Sequence, residues 1–460
     1  MTVDWSSAES FLMGGAWIGS QASDHIYTLA DSIGIRWAGT DAERRAAEYI
    51  RSRFDEYGLA NSGIEEFDLK TWESSSSSIS IVGEDDRVID VRPSLFCPAV
   101  SVTGPLVNVG FGMLHEIEPL KDVLAGSVAL ISSGTEPFSV PESVAGRLER
   151  LAELGVLACI SPTAKGGRFT SHMFSGERLD EDPYATPLSL VYTSREDGAL
   201  LARRASVGVS VSVKVDSERI AATSRNVIAD IEGETWPDEW LVLGAHHDST
   251  IDSPGANDNA SGSTVLLETA RLLAQLKRDQ GIGPGRSIRF VTFGAEEQGK
   301  QGARAFVDRH YGPDPEPRMM INLDELAAGT MKGVALQFPE LRALVQKELD
   351  AMGEGLRCHV MAHLDATGDM YPFAREGIQS SMLWRWRFVD RHPEVSFGHS
   401  SSDTIDKVRV RELKEYAGLL SRLLLRLSHT QPEEWPQESL DISKIEERIA
   451  RERGSVARAT

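Results

Sequence analysis

The chain has 460 residues, too many for one ordinary hydrophobic core, so it is expected to fold as two or three structural units. Its formal net charge of −21 lacks the basic footprint that nucleic acid requires and is repelled by an anionic membrane surface, so neither is expected as a partner. Three well-separated cysteines, Cys97, Cys159 and Cys358, offer neither a disulfide framework nor a Cys-x-x-Cys metal pair, and they point to a reducing interior.

Phe11 to Gly19 is mildly apolar, but no Lys or Arg precedes it. It is not read as an export signal, and no stretch approaches the length of a membrane span, so the expected location is the cytoplasm. Thr40-Asp41-Ala42-Glu43 has the form of a capping box. It opens a helix with Ala46, Ala47, Ile50 and Phe54 at helical spacing, and Gly58 is placed to end it. Ile64 to Leu69 reads as a strand, and the serine run Ser74 to Ser78 as a junction. Short strand-like stretches follow at Ile79–Val82, Leu106–Val109, Val128–Ser132, Val156–Ile160, Leu188–Tyr192 and Val207–Val215, with a helix at Arg147–Leu154. They predict an inserted β-rich domain over residues 76–215.

Beyond it, Asn226–Ile231, Leu241–Ala245, Ile288–Phe293, Met319–Leu323 and Gln379–Trp384 are apolar strands, while Ser261–Leu276 and Arg409–Leu427 have helical periodicity. The alternation predicts an α/β domain with a mixed, largely parallel central sheet flanked by helices. Residues 1–75 and 216–430 would form it, with 431–460 as a charged tail. The long helix at Arg409–Leu427 serves either core packing or a homodimer surface.

In such a sheet, function lies where strands end and loops begin. Leu241–Ala245 runs into His246-His247-Asp248, Ile288–Phe293 leads to Glu296-Glu297, and Met319–Leu323 runs into Asp324-Glu325. Asp258 lies in the Gly/Asn-rich loop before the helix at Ser261, and His399 in a late loop. Each piece alone is weak evidence: Glu-Glu is usually a solvated face, and Asp between asparagines is usually turn chemistry. Together they bring five imidazole and carboxylate ligands to one sheet edge, a set that suits zinc.

These stretches resemble the M28 family of zinc aminopeptidases and carboxypeptidases. The likeness rests on Gly244-Ala245-His246-His247-Asp248-Ser249, Pro254 to Gly262 and Phe293-Gly294-Ala295-Glu296-Glu297-Gln298-Gly299. It extends through Ile321-Asn322-Leu323-Asp324, Asp369 to Phe373 and His399 to Thr404. The resemblance implies two Zn²⁺ ions, other divalent metals being alternatives. His246, Asp258 and Asp324 would hold one, and Asp258, Glu297 and His399 the other, with Asp258 bridging. It also implies Glu296 as general base and Asp248 as the orienter of His246, with Asp403 doing similar work near His399. The segment 76–215 resembles a protease-associated domain. Met370 stands where the family commonly has His.

Arg385 and Arg387, flanking Trp386, are candidates for binding a substrate carboxylate or steadying an oxyanion, against the plainer reading of surface charge. The expected activity is hydrolysis of a peptide or small amide by a metal-activated water, foremost as an aminopeptidase. The alternatives are a carboxypeptidase or an amidohydrolase acting on a non-peptide amide. A non-catalytic receptor-like scaffold is disfavoured because every ligand is intact. The M20 type of dizinc hydrolase shares the ligand logic but carries its extra domain inside the catalytic half. A single-zinc acyltransferase of the glutaminyl cyclase sort is separable by counting metal.

Overall fold

The computed structural model describes residues 3–83, 88–132, 134, 136–139, 142–174, 188–311, 316–327, 331–355, 357–386, 397–437, 440–441, 443–448 and 450. Of 331 and 384–386 only the backbone is described. The described residues fall into two compact units, one built from residues up to 69 and from 222 onward, the other from 70–221.

The sheet of the first unit contains the end of β1 (Ser210–Ile231), then β2 (Trp236–His246), β3 (Arg286–Phe293), β4 (Met319–Leu323), β5 (Met331–Leu336), β6 (Cys358–Ala362) and β7 (Ser380–Trp386). Their spatial order is β6-β5-β7-β4-β2-β3-β1. The pairs β6/β5, β7/β4, β4/β2 and β2/β3 are parallel, and β5/β7 and β3/β1 are antiparallel. This is the mixed, largely parallel sheet expected from the sequence.

Both faces are covered, and the strands show why. Leu241, Leu243, Ile288, Phe290, Met319 and Ile321 point into one core, while the intervening Val242, Val291 and Met320 point into a second. Side chains alternate across a strand, so two apolar faces need near-continuous apolar runs. The first core is closed by α1 (Trp5–Ile18), α2 (Asp41–Tyr57), α3 (Ser261–Gln280) and α5 (Val410–His429); the second by α4 (Gln301–His310) with Phe306 and by Phe373. Most of α5 is buried in its own unit, from Tyr416 through Leu425, so this helix packs the core and is not a free surface. The charged tail docks through Trp435 and Ile445, both buried.

Helix α2 begins at Thr40, whose Oγ1 accepts from the Glu43 N–H at 3.4 Å, and ends at Gly58 with φ 78°. The other half of the expected capping box is not made. The Glu43 carboxylate instead accepts from Ser224 Oγ and Arg225 N, both at 3.1 Å, because tertiary partners outcompete its own helix end. The serine run is not a junction either. It lies within one strand, Ala60–Ile81, where Ser77 Oγ donates to Val91 O at 3.1 Å and Ser76 Oγ to Asp216. Hydroxyls that bond to neighbouring chain segments keep a polar run extended. Likewise the two strands read at 207–215 and 226–231 are one strand, β1.

In the second unit, Val100–Asn108, Val128–Leu130, Ala158–Pro162 and Leu190–Thr193 run parallel in that order. Val144–Glu153 packs on them through Leu148 and Leu151, against Ala129, Cys159 and Leu190.

One buried polar cluster of the first unit carries a pH prediction. His25 has Tyr49 OH at 2.7 Å from Nδ1 and Tyr57 OH at 2.9 Å from Nε2. Burial lowers its pKa from 6.5 to about 4, against the pull of Glu268. Above pH 6.5 the ring is neutral folded or unfolded and contributes no pH dependence. Below it the unfolded chain takes a proton that the folded chain refuses. Stability therefore falls, by roughly 3 kcal/mol once the pH reaches the folded pKa. Urea midpoints measured across this window should flatten in His25→Gln relative to the parent; parallel curves would contradict the assignment.

Candidate metal centre

Three adjacent parallel strands, β4, β2 and β3, bring their C-terminal ends level. Phe293 pairs with His246 and Leu323 with Ala245, so the loops that follow share one edge. His246 ends β2, Glu296-Glu297 follow β3, and Asp324 follows β4. Asp258 comes from the loop leading into α3, where Gly255 takes φ 58°. A Cβ at Gly255 would lie 2.5 Å from Asp258 O and from Ser249 Cβ, so only glycine fits this turn. His399 arrives from the late loop with φ 60°, a left-handed backbone that a non-glycine residue adopts when its surroundings demand it.

These placements assemble two groups of ligand atoms, His246 with Asp258 and Asp324, and Asp258 with Glu297 and His399, each within 4.8 Å of one another. Asp258 belongs to both. Its Oδ1 is 3.3 Å from His246 Nε2 and its Oδ2 is 3.3 Å from His399 Nε2. Asp324 Oδ1 completes the first group at 3.5 Å from His246 Nε2, and Glu297 Oε2 the second at 3.1 Å from His399 Nε2. All five sequence-predicted ligands thus meet at one place.

A cation fits between them. His246 Nε2 and Asp324 Oδ1 are buried and make no hydrogen bond within the protein, although they face each other. Burial opposes protonation of His246, yet Asp324, Asp248 and Asp258 outweigh it and hold the imidazole well above the usual histidine range. His399 is raised in the same way, burial being outweighed by Glu297 and Asp258. Burial pushes Glu297 up to about 7, with Asp258 adding to the effect. Each imidazole thus behaves as a substitute for positive charge that the acids require. Imidazole nitrogen and carboxylate oxygen in this number are zinc donors.

Glu296 belongs to neither group and is 9% exposed. Burial pushes its carboxyl well above the usual range; His246 and Lys300 oppose this, and Asp369 and Glu297 add to it. A general base working near neutral pH needs such a shift. Asp248 accepts from the N–H groups of both Glu296, at 3.2 Å, and Glu297, at 3.3 Å, and its Oδ1 lies 3.3 Å from His246 Nδ1. It therefore holds the backbone of the ligand and of its neighbour as well as facing the histidine. Asp248→Asn turns an N–H toward one of those donors, and kcat is expected to fall about 10–100-fold. Steady-state kinetics at saturating zinc would check this, and an unchanged kcat would count against the role.

Asp403 does not serve His399 as expected. Its two oxygens accept from the N–H groups of Asn257 and Asp258, each at 3.0 Å, and so fix the backbone of the residue common to both groups. His247 turns away to Glu43, its Nε2 3.4 Å from Oε1. His359 is exposed on β6 and, like His363, joins neither ligand group. Arg387 lies outside the described residues, and Arg385 is described only as a backbone partner of Lys332 in the β5/β7 pair. Two residues to which the sequence assigned no role are part of this neighbourhood. Asp369 is fully buried with neither oxygen hydrogen-bonded, and Arg36 is fully buried beneath the loops. The only sequence signal for Arg36 was a lone charge inside Ile35-Arg36-Trp37.

The profile of Peptidase family M28 matches residues 226–424, the stretch that contains the five candidate ligands and Glu296. Aminopeptidase YwaD of Bacillus subtilis (strain 168) is 28% identical over 418 residues, 86% of this chain and 82% of that protein. Carboxypeptidase Q of Homo sapiens is 22% identical over 412 residues, 87% of this chain and 84% of that protein. Among solved structures, BSAP, a zinc aminopeptidase from Bacillus subtilis, superposes with a TM-score of 0.69 at 24% identity, covering 88% of this chain and 94% of its own. The Peptidase M28 precursor from Shewanella amazonensis SB2B gives 0.75 at 22% identity, covering 95% and 98%; at these identities both show a shared fold. Residues 226–424 thus carry the match to Peptidase family M28, and the aminopeptidase and carboxypeptidase relatives support a metallopeptidase.

Proposed function

We propose that the chain is a dizinc aminopeptidase with Glu296 as its general base. The observation that carries this reading is the placement of Asp258, one oxygen toward each histidine, with Glu296 outside both ligand groups. His246, Asp258 and Asp324 would hold one ion, and Asp258, Glu297 and His399 the other. Bound there, the ions supply Lewis acidity to the scissile carbonyl and lower the pKa of the attacking water. Glu296 takes the proton of that water as its oxygen adds to the carbonyl carbon, and returns it to the nitrogen as the C–N bond breaks. Acid and amine leave without a covalent link to the protein. Asp248 keeps Glu296 and Glu297 aimed in different directions by holding both of their N–H groups.

The aminopeptidase form is favoured by the relative of that name, which shares 28% identity. The Carboxypeptidase Q relatives at 22% support a second reading, in which a substrate carboxylate is recognised instead. In this proposal the substrate is a short peptide, residues 76–215, which lie within the compact unit 70–221, are an inserted protease-associated module, and the three buried free cysteines fit a reducing compartment such as the cytoplasm. No helix among the described residues is long and apolar enough to cross a membrane.

The test is a substrate panel with zinc counted per chain. An aminoacyl anilide should be cleaved and its N-acetylated form spared. Cleavage of N-acetyl dipeptides with a free C-terminus, and not of the anilide, would establish the carboxypeptidase form. Fewer than two zinc ions per active chain would remove the dizinc mechanism.

A further inference from the structure

The Arg36 guanidinium is fully buried, yet it makes no ion pair among the described residues; carbonyl oxygens surround it. Nε donates to His247 O at 2.8 Å. Nη1 donates to Leu29 O and Gly34 O at 2.8 Å and to Pro254 O at 2.7 Å, and Nη2 donates to Gly255 O at 3.0 Å. The backbone of Arg36 is tied as well: its N–H donates to Ser249 Oγ at 2.9 Å, and its carbonyl accepts from Ser249 N at 3.3 Å.

Three of those five carbonyls belong to the loops that carry the site. His247 lies between ligand His246 and Asp248, and Pro254-Gly255 opens the turn that delivers Asp258. A single rigid side chain therefore ties together the two ends of the one connection, residues 247–255, that runs from β2 toward α3. The acids whose charge acts most strongly on Arg36 are Asp248, Asp403, Asp258 and Glu297, which belong to the same neighbourhood. A buried cation without a paired carboxylate is costly unless its donors are satisfied and opposite charge is near; here both conditions hold. Lysine would keep the charge but lose the planar fork that reaches several carbonyls at fixed angles.

We infer that Arg36 is a positioning residue for the metal centre: it fixes the start (246–249) and the end (254–258) of the β2-to-α3 connection at the separation both ligand groups need before any ion arrives, and it offsets part of the repulsion among their acids. This rests on the dizinc reading for its purpose, though the loop geometry stands apart from it.

The test uses the full chain as R36M and R36K. Without added metal, amides of residues 247–258 should exchange about tenfold faster in R36M, with α5 amides unchanged. Zinc affinity, read by competition with a chelating dye, should weaken about 10–100-fold in R36M. R36K, which keeps the charge and is the variant more apt to fold, should show most of the same loss. Methylguanidinium added to R36A should restore affinity. A folded R36K or R36M with parental loop exchange and parental zinc affinity overturns the proposal. So does a loss of affinity that tracks global unfolding and is not rescued by methylguanidinium. If the parent protein binds no zinc, the dizinc reading fails, while the exchange comparison still decides Arg36.

Discussion

Glu296→Gln is expected to lower kcat by about 10²–10⁴-fold, the usual share of a general base, while the zinc content per chain stays at the parental value. The two effects separate because Glu296 contributes to neither ligand group. The amide has nearly the same size, and the backbone N–H of this residue would still be held by Asp248 at 3.2 Å, so the loop has no reason to move. What is lost is the ability to take a proton from water and return it to the leaving nitrogen. Burial holds the Glu296 carboxyl well above its ordinary range, and an amide has no equivalent ionisation, so the acid limb of the pH–rate profile should also change. Turnover of an aminoacyl anilide alongside metal analysis of the same sample would check both parts. A variant with the parental rate would remove Glu296 from the mechanism; one without zinc would make it a ligand instead.

Asp258→Ala is expected to be more severe, with loss of both ions and of detectable activity. Asp258 is the one residue shared by the two groups, and each of its oxygens lies 3.3 Å from a different histidine. Asp324→Ala, by contrast, takes one ligand from one group and should leave the second ion in place. The same difference should appear in stability. Ions bound only by the folded state add RT ln(1 + [L]/Kd), about 4 kcal/mol at a thousandfold excess over Kd. Thermal melts with and without zinc should show this shift in the parent, a reduced shift in Asp324→Ala and essentially none in Asp258→Ala. Retention of two ions by Asp258→Ala would exclude it as the bridge.

The candidate ligand residues were legible in the sequence for a definite reason. Leu241–Ala245, Ile288–Phe293 and Met319–Leu323 are apolar runs that end abruptly in His, Glu or Asp, and a strand covered on both faces leaves just that signature. Three of the helices that close the sheet, α2, α3 and α5, followed from the same kind of periodicity, whereas α1 and α4 did not. The supporting residues were not legible. Asp403 was expected near His399, four positions away, yet it bonds to the N–H groups of residues 145 and 146 positions earlier. Glu43 looked like half of a capping box and instead bonds across to Ser224 and Arg225. The serine run had the composition of a linker, and only its neighbouring segments made it a strand.

By itself, then, the amino-acid sequence determined the apolar strands of the catalytic sheet and which acids and imidazoles stand at their ends, because those are properties of neighbours along the chain. Only the tertiary structure decided which oxygen of Asp258 faces which histidine, that Asp248 holds two glutamates by their backbones, and that Arg36 ties together the two ends of the loop that delivers Asp258. Those contacts depend on the parallel register of β4, β2 and β3 and on segments more than 200 residues apart, such as Arg36 and Gly255, and a one-dimensional pattern carries no distance between such positions.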